Sequence, residues 1–294
     1  MTAVAPPIAF NKIATAMGFS PSAKANLAEV YRIAEYFNAE LCVLHVGEWT
    51  NQCDVTYHKF LKELNIPLDR IQLHTANGDP KVVLLDLCNK VNADLLVIGA
   101  LARENIFGVF NTSIARELCR NAKLSLMLLT QSSVEARICD RIVVNGLEHP
   151  KTLDTIKTAV HMADKLGSTE LYVVDELPEK QLIKPEDDKS RLRRNRKRKQ
   201  LERQHHERLE QLFTKMQLPG QLEIKEKHVF GRRGYTIAHF ARAVKADLLI
   251  VNSPDTKLGF LDRIFKHDLE YILMDLPANL LIVHTTKSMM NAAS

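Results

Sequence analysis

Asn92-Ala-Asp-Leu-Leu-Val-Ile-Gly99 and Lys245-Ala-Asp-Leu-Leu-Ile-Val-Asn252 are two nearly identical stretches that decide the fold of this 294-residue chain. Each is a short, almost continuous apolar run, which is typical of a parallel β-strand buried on both faces. A glycine stands 16 residues before the aspartate in both copies, at Gly78 and Gly231. The chain is therefore expected to hold two copies of one structural unit.

The segments around these strands repeat in the same order. Asn38–His45 corresponds to Ser168–Asp175, and the closing strands Leu124–Leu129 and Ala278–Val283 also match. Between the strands lie segments with the apolar spacing of amphipathic helices. Strands joined by helices need right-handed crossovers, which give a doubly wound sheet. We predict an α/β protein of two tandem flavodoxin-like domains, each with a five-stranded parallel sheet, packed as a pseudo-dimer through their last strands.

The predicted domains cover residues 1–132 and 138–294, and the second carries a basic helical insertion at about 176–204. The net charge of +5 arises in that insertion, because Lys189–Arg203 holds nine basic residues and one acid, a sum of +8 that leaves −3 for the rest. Such a run is either a solvated helix or a surface for a polyanion. Without interleaved aromatic residues, contact with a nucleic acid would be made to phosphates and would be blind to sequence. The candidate polyanion-binding residues are Arg191, Arg193, Arg194, Arg196, Lys197, Arg198 and Lys199.

Several classes of protein are disfavoured by the composition. No segment has the roughly 18–20 apolar residues that span a bilayer, and Met1–Lys12 lacks the pattern of a signal peptide. The five cysteines show no CxxC spacing, which indicates reduced thiols in a cytoplasmic protein. No cluster has metal-ligand spacing, and neither a nucleophile elbow nor a Ser-His-Asp order is present. We therefore expect no catalytic residues and no metal.

Three motifs give the chain a family resemblance. The first strand is followed by Gly18-Phe-Ser-Pro-Ser22, the third helix is opened by Gly78-Asp79-Pro80, and the fourth strand is Ala93–Gly99. With the internal repeat, this pattern resembles the universal stress protein family. The resemblance covers nearly the whole chain, twice, and implies a tandem member with a role in stress adaptation.

The resemblance also implies an adenine-nucleotide site, for ATP, in the first domain. ATP-binding members carry G-x2-G-x9-G-[ST] after strand four, because glycines let backbone N–H groups approach the phosphates and a helix N-terminus favours negative charge. In this chain alanine and threonine replace the second and third glycines, and glycine replaces the aspartate that ends strand one. The implied nucleotide-binding residues are Gly18, Val43, Gly99, Ala102, Arg103, Gly108, Thr112 and Ser113.

The second repeat departs further from the motif. Asn252 and Asp255 replace its first two glycines, Phe265-Lys266 replaces Gly-Ser, and Asn145 replaces the strand-one aspartate. A carboxylate and a bulky ring at these places predict that the second domain has lost nucleotide binding. Asp175, like His45 in the first repeat, ends its second strand, so either residue lines a pocket or faces water.

Three functions stay open at this point. The first is a non-enzymatic regulatory protein that binds ATP in its first domain and pairs its two domains within one chain, with a homodimer as an alternative. The second is a slow ATPase or a self-phosphorylating protein centred on Thr112 and Ser113. The third is an adaptor that binds a polyanion through the basic helix. An enzyme of the PP-loop type is disfavoured, because the chain lacks S-G-G-x-D-S.

Overall fold

The computed structural model describes residues 9–100, 109–182, 187–254, 268–274 and 276–284, with only the backbone described at 109–113. The strands are β1 (Lys12–Ala16), β2 (Glu40–Val46), β3 (Ile71–Ala76), β4 (Leu95–Gly99), β5 (Ser125–Leu129), β6 (Arg141–Asn145), β7 (Glu170–Pro178), β8 (Glu223–Gly231), β9 (Leu248–Asn252) and β10 (Asn279–Val283). The helices are α1 (Ala23–Phe37), α2 (Asn51–Glu63), α3 (Pro80–Val91), α4 (Val109–Asn121), α5 (Thr152–Leu166), α6 (Asp188–Phe213) and α7 (Tyr235–Ala243).

The chain forms two compact units. The first comprises Ala9–Ile138 together with the segment from Ala278, and the second comprises Cys139–Pro277. Strands of the first unit lie in the order β3-β2-β1-β4-β5-β10, and the first five of them are parallel. Those of the second lie in the order β9-β6-β7-β8 and are all parallel. The predicted α/β class with mostly parallel sheets is confirmed.

The last strand lies with the first unit. β10 runs antiparallel to β5, with Leu281 opposite Met127, so the predicted pairing of the two closing strands is present. The compact units of the structure therefore differ from the predicted domains, 1–132 and 138–294. The reason is that β10 ends the second repeat but packs with the first unit.

The aspartate of each repeated stretch has a structural task. Oδ2 of Asp94 accepts hydrogen bonds from the N–H groups of Asn11 and Lys12, at 2.8 and 2.9 Å. Asp247 accepts from Asp140 and Arg141 in the same way, at 2.9 Å each. Each carboxylate thus fixes the start of a central strand to the start of its parallel neighbour.

The opening of α3 follows the predicted pattern. Gly78 has a φ of 140°, a conformation that glycine adopts readily. Oδ1 of Asp79 accepts a hydrogen bond of 3.0 Å from the Lys81 N–H, and Pro80 occupies the first turn. Both residues suit a helix start, because the cap satisfies a free donor and proline needs no N–H there.

The insertion has other limits than the sequence suggested. β7 continues to Pro178 and pairs with β8 along nine residues, so the inserted segment begins after 178 rather than at 176. It continues as α6, which ends at Phe213. In the described ranges no helix has the length and apolar content needed to cross a membrane.

Candidate functional site

A cavity of about 270 Å³ opens at the carboxyl ends of β1, β2 and β4. β2 and β4 flank β1 on opposite sides, so the cavity lies where the strand order reverses, the usual ligand position in a doubly wound sheet. Helices α1, α3 and α4 supply the remaining walls. Lining residues are Thr15, Ala16, Met17, Gly18, Ser20, Ser22, Ala23, Asn26, Leu27, Leu44, Val46, Pro80, Leu84, Ile98, Gly99, Ile114 and Ala115.

The described walls of the cavity are neutral. They combine apolar side chains such as Leu44 and Ile98 with a few polar groups from α1 and the turn before it. The hydroxyl oxygens of Ser20 and Ser22 lie 3.2 Å apart, and Ser22 makes no side-chain cap bond to α1. The first turn of α1 holds no acidic residue, so its partial positive charge is not offset there. Such a surface accepts an apolar ring and one anionic group.

Gly99 and Asn26 make a close contact. A Cβ at this position would lie 2.2 Å from Nδ2 of Asn26, a distance that real Cβ atoms do not reach. The absence of a side chain at 99 therefore lets the Asn26 amide rest against the end of β4. A Cβ at Gly18, in contrast, would meet nothing within 4 Å.

The nucleotide-binding residues implied by the family resemblance are partly brought together. Gly18 and Gly99 line the cavity. Val43 does not, since it is fully buried in β2, and the lining residues of that strand are Leu44 and Val46. Because side chains alternate along a strand, Val43 points to the other face of the sheet.

The remaining implied residues lie in the connection between β4 and α4. Thr112 and Ser113 belong to the first half of α4, directly before the lining residues Ile114 and Ala115. Ala102, Arg103 and Gly108 lie outside the described residues. Asn26 was missed at the sequence level, and its one signal is its position one helical turn after Ser22.

His45 packs away from the cavity. Its Nδ1–H donates to the carbonyl oxygen of Met17 at 2.9 Å, and the residue is only 8% exposed. The ring also contacts Phe19 and Trp49, with centroids 5.8 and 5.2 Å away. His45 therefore fastens β2 to the end of β1.

In the second unit, α6 covers the corresponding edge of the sheet. The Asp175 carboxylate is 1% exposed, and its Oδ2 accepts hydrogen bonds of 2.6 Å from both Arg208 and His205. Arg208 also donates to the carbonyl oxygen of Gly146, just after β6. Asp175 is thus an anchor for the inserted helix, whereas the sequence left it lining a pocket or facing water.

Strand ends of the second unit are occupied by internal hydrogen bonds. Asn145 accepts from the Leu147 N–H at 2.9 Å, and Asn252 donates to the Thr152 hydroxyl at 3.2 Å. Both asparagines replace residues of the nucleotide motif, and both side-chain amides hydrogen-bond within the protein. Asp255 and Phe265-Lys266 lie outside the described residues.

Glu176 places a carboxylate at the start of α7. It accepts hydrogen bonds from the N–H groups of Ile237 and Gly234, at 2.8 and 3.2 Å. Burial raises the pKa of Glu176 to about 7, although the two N–H donors act in the opposite direction. The start of α7 is therefore occupied by a carboxylate of the protein itself.

α6 has two different sides. One side packs on the sheet through Leu201, Leu209, His205 and Arg208, and Leu209 is fully buried. On the other side exposed cations recur at spacings of three and four residues, as on one face of a helix. This basic stripe consists of Lys189, Arg193, Arg196, Lys199 and Arg203.

Candidate polyanion-binding residues divide between these sides. Arg191, Arg194 and Arg198 pair with Asp188, Glu179 and Glu202, at 3.4, 3.1 and 2.8 Å. Arg193, Arg196 and Lys199 belong to the stripe, and Lys197 is half-buried.

Comparison with known proteins assigns a family to part of this structure. Residues 48–130 match the family model described as the universal stress protein family. That segment runs from α2 to β5 and includes the β4–α4 wall of the cavity. The match supports the family resemblance independently of the repeat.

Solved structures share the fold along nearly the full chain. A functionally unknown protein from Pseudomonas aeruginosa PAO1 is 14% identical, with a TM-score of 0.68 over 97% of this chain and 96% of its own. A putative universal stress protein from Pseudomonas aeruginosa UCBPP-PA14 is 13% identical, with a TM-score of 0.62 over 94% and 93%. A universal stress protein from Archaeoglobus fulgidus DSM 4304 is 14% identical, with a TM-score of 0.58 over 95% and 97%. At these identities the likeness establishes the fold alone.

The segment that matches the universal stress protein family model, residues 48–130, supplies the part of the cavity wall formed by α3, β4 and α4.

Proposed function

We propose that this protein is a non-enzymatic regulator of stress adaptation that binds one adenine nucleotide, ATP, in the cavity of its first unit. The observation that carries the proposal is the neutral cavity at the strand-order reversal, to which the segment matching the universal stress protein family model contributes one part of the wall. Ligand pockets commonly combine apolar walls with a few convergent polar groups. The walls here have that composition.

Each part of the ligand has a matching surface. The base lies against the apolar side chains of β2 and β4, and the phosphates lie toward Gly99 and the start of α4. The amide of Asn26, which rests against Gly99, donates hydrogen bonds to the ligand. One nucleotide binds per chain, because the corresponding edge of the second unit is occupied by Asp175, Arg208 and their partners.

A carboxylate at position 99 is expected to abolish ATP binding. The Gly99→Asp and Gly99→Asn variants both push Asn26 aside, because any Cβ there meets its amide. Only the aspartate adds a negative charge, and two unit charges about 4 Å apart near a protein surface repel by about 4 kcal/mol. Calorimetry on the full chain should show micromolar ATP binding at one site, weaker binding in Gly99→Asn, and at least a tenfold further loss in Gly99→Asp.

Two results would contradict this proposal. Equal ATP affinities of the two variants would show that the phosphates lie away from Gly99. Absence of binding to the wild type at millimolar ATP would show that ATP is not a ligand of this protein. Release of phosphate by the wild type above the Gly99→Asp background would instead support the slow ATPase alternative.

A second candidate function follows from the basic stripe of α6. Its cations are exposed along one side of a long helix. We propose that it binds the phosphate backbone of double-stranded DNA without regard to sequence. Each phosphate contact contributes a slope of about −0.9 in log K against log salt.

Neutralising the stripe is expected to weaken DNA binding more than neutralising the paired cations of the same helix. The stripe triple, Arg193→Gln/Arg196→Gln/Lys199→Gln, should lower the salt slope by about 3. Its matched control changes Arg191, Arg194 and Arg198 to Gln, with the same loss of charge. Fluorescence anisotropy with a random-sequence duplex at several salt concentrations measures both. If both triple variants weaken DNA binding equally, the effect depends on net charge alone, and the stripe is not a binding site.

A further inference from the structure

α6 and β8 bring three metal-ligating side chains together. Nδ1 of His206 lies 2.7 Å from Oε2 of Glu226, and Glu210 follows His206 by one helical turn. One ligand atom from each of the three residues lies within 4.8 Å of the others. This cluster is separate from the nucleotide cavity.

The donor set suits a divalent cation. An imidazole nitrogen and two carboxylate oxygens bind Zn²⁺ at about 2.0–2.2 Å, so neighbouring ligand atoms of a tetrahedral site are about 3.4 Å apart. The His206–Glu226 distance of 2.7 Å lies below that value and the limit of 4.8 Å for the three atoms lies above it, so side-chain rotation is enough to reach it. Two carboxylates also balance the charge of the ion.

Rigid elements hold the cluster. Leu209, which precedes Glu210, is fully buried beneath α6, and β8 is paired with β7 along its whole length. The His206 side chain is 55% exposed, which leaves room for a water molecule as a further ligand. Glu202, Arg203 and His228 line the same groove, so one cation and one more carboxylate lie nearby.

We propose that His206, Glu210 and Glu226 form a Zn²⁺ site that clamps α6 to β8. The ion replaces the direct His206–Glu226 contact and adds Glu210 as the third protein ligand.

The test compares two neighbouring glutamates of one helix. Glu207 and Glu210 both act electrostatically on His206, but only Glu210 belongs to the cluster. Calorimetry with ZnCl₂ on the full chain should give one ion per chain, with affinity at least tenfold lower in Glu210→Gln and within twofold of wild type in Glu207→Gln. His58→Asn should also have no effect, because it removes a comparable exposed imidazole beside Asp54.

Co²⁺ substitution reports the ligands directly. Visible d–d bands of a four- or five-coordinate ion should appear in the wild type and in Glu207→Gln, and disappear in Glu210→Gln and Glu226→Gln. Equal Zn²⁺ affinity of Glu210→Gln and Glu207→Gln would overturn the proposal. A cobalt–thiolate charge-transfer band would assign the ion to a cysteine and would overturn it as well.

Discussion

Replacing Asp175 by asparagine is expected to lower the free energy of unfolding of the second unit by about 3 kcal/mol. Removing one partner of a buried ion pair typically costs 3–5 kcal/mol, because the other charge stays buried and unpaired. Here Asp175 is 1% exposed and holds both Arg208 and His205. The cost lies at the low end of that range, since Arg208 is 21% exposed and retains some water.

Glu179→Gln is the matched control for that substitution. It also removes a carboxylate that pairs with an arginine of α6, but this pair is largely exposed. Exposed pairs contribute roughly 0–1 kcal/mol. Urea denaturation measures both variants, and hydrogen exchange in α6 should accelerate in Asp175→Asn alone. Similar stabilities of the two variants would show that the Asp175 cluster does not hold the helix.

The second large effect concerns pH. Burial raises the pKa of Glu176 from 4.5 to about 7 in the folded protein. The folded state therefore binds a proton more tightly than the unfolded chain, and the resulting stability is complete below pH 4.5. It is lost as the pH rises through 7, which amounts to about 3 kcal/mol at 1.36 kcal/mol per pKa unit.

Glu176→Gln isolates this contribution. The variant cannot titrate, so its stability should change about 3 kcal/mol less than that of the wild type between pH 5 and pH 8. Three histidines, His161, His206 and His228, also have shifted pKa values, but they are common to both proteins. Urea denaturation at four pH values provides the curves. Parallel curves would show that Glu176 is ionised throughout.

Local patterns in the sequence predicted the α/β framework well. The repeated aspartate and the Gly78-Asp79-Pro80 helix start act through residues close to them or through adjacent strands. Such features form recurring sequence patterns that can be recognised without knowledge of the three-dimensional structure. The basic helix was also predicted, since its residues favour helix throughout.

Contacts between distant residues could not be predicted in this way. Asn26 meets Gly99 because two different elements end at the same edge of the sheet. Asp175 meets His205 and Arg208 from thirty or more residues away. The basic run was expected to be a solvated helix or a polyanion surface, but His205 and Arg208 of α6 pack one side of it on the sheet. Val43 was implied by family resemblance, which does not specify the side-chain direction in this strand.

The position of β10 has a consequence for synthesis of the protein. Leu128 of β5 lies opposite Leu280, so the first unit lacks one strand until the end of the chain has been made. At about 5–20 residues per second, the ribosome needs roughly 8–30 s to cover that separation. During this time β5, whose residues are all buried in the finished protein, is an open edge strand that invites pairing with other chains. A nascent chain of this protein therefore needs protection until β10 emerges, and cutting the chain between the repeats would make that exposure permanent.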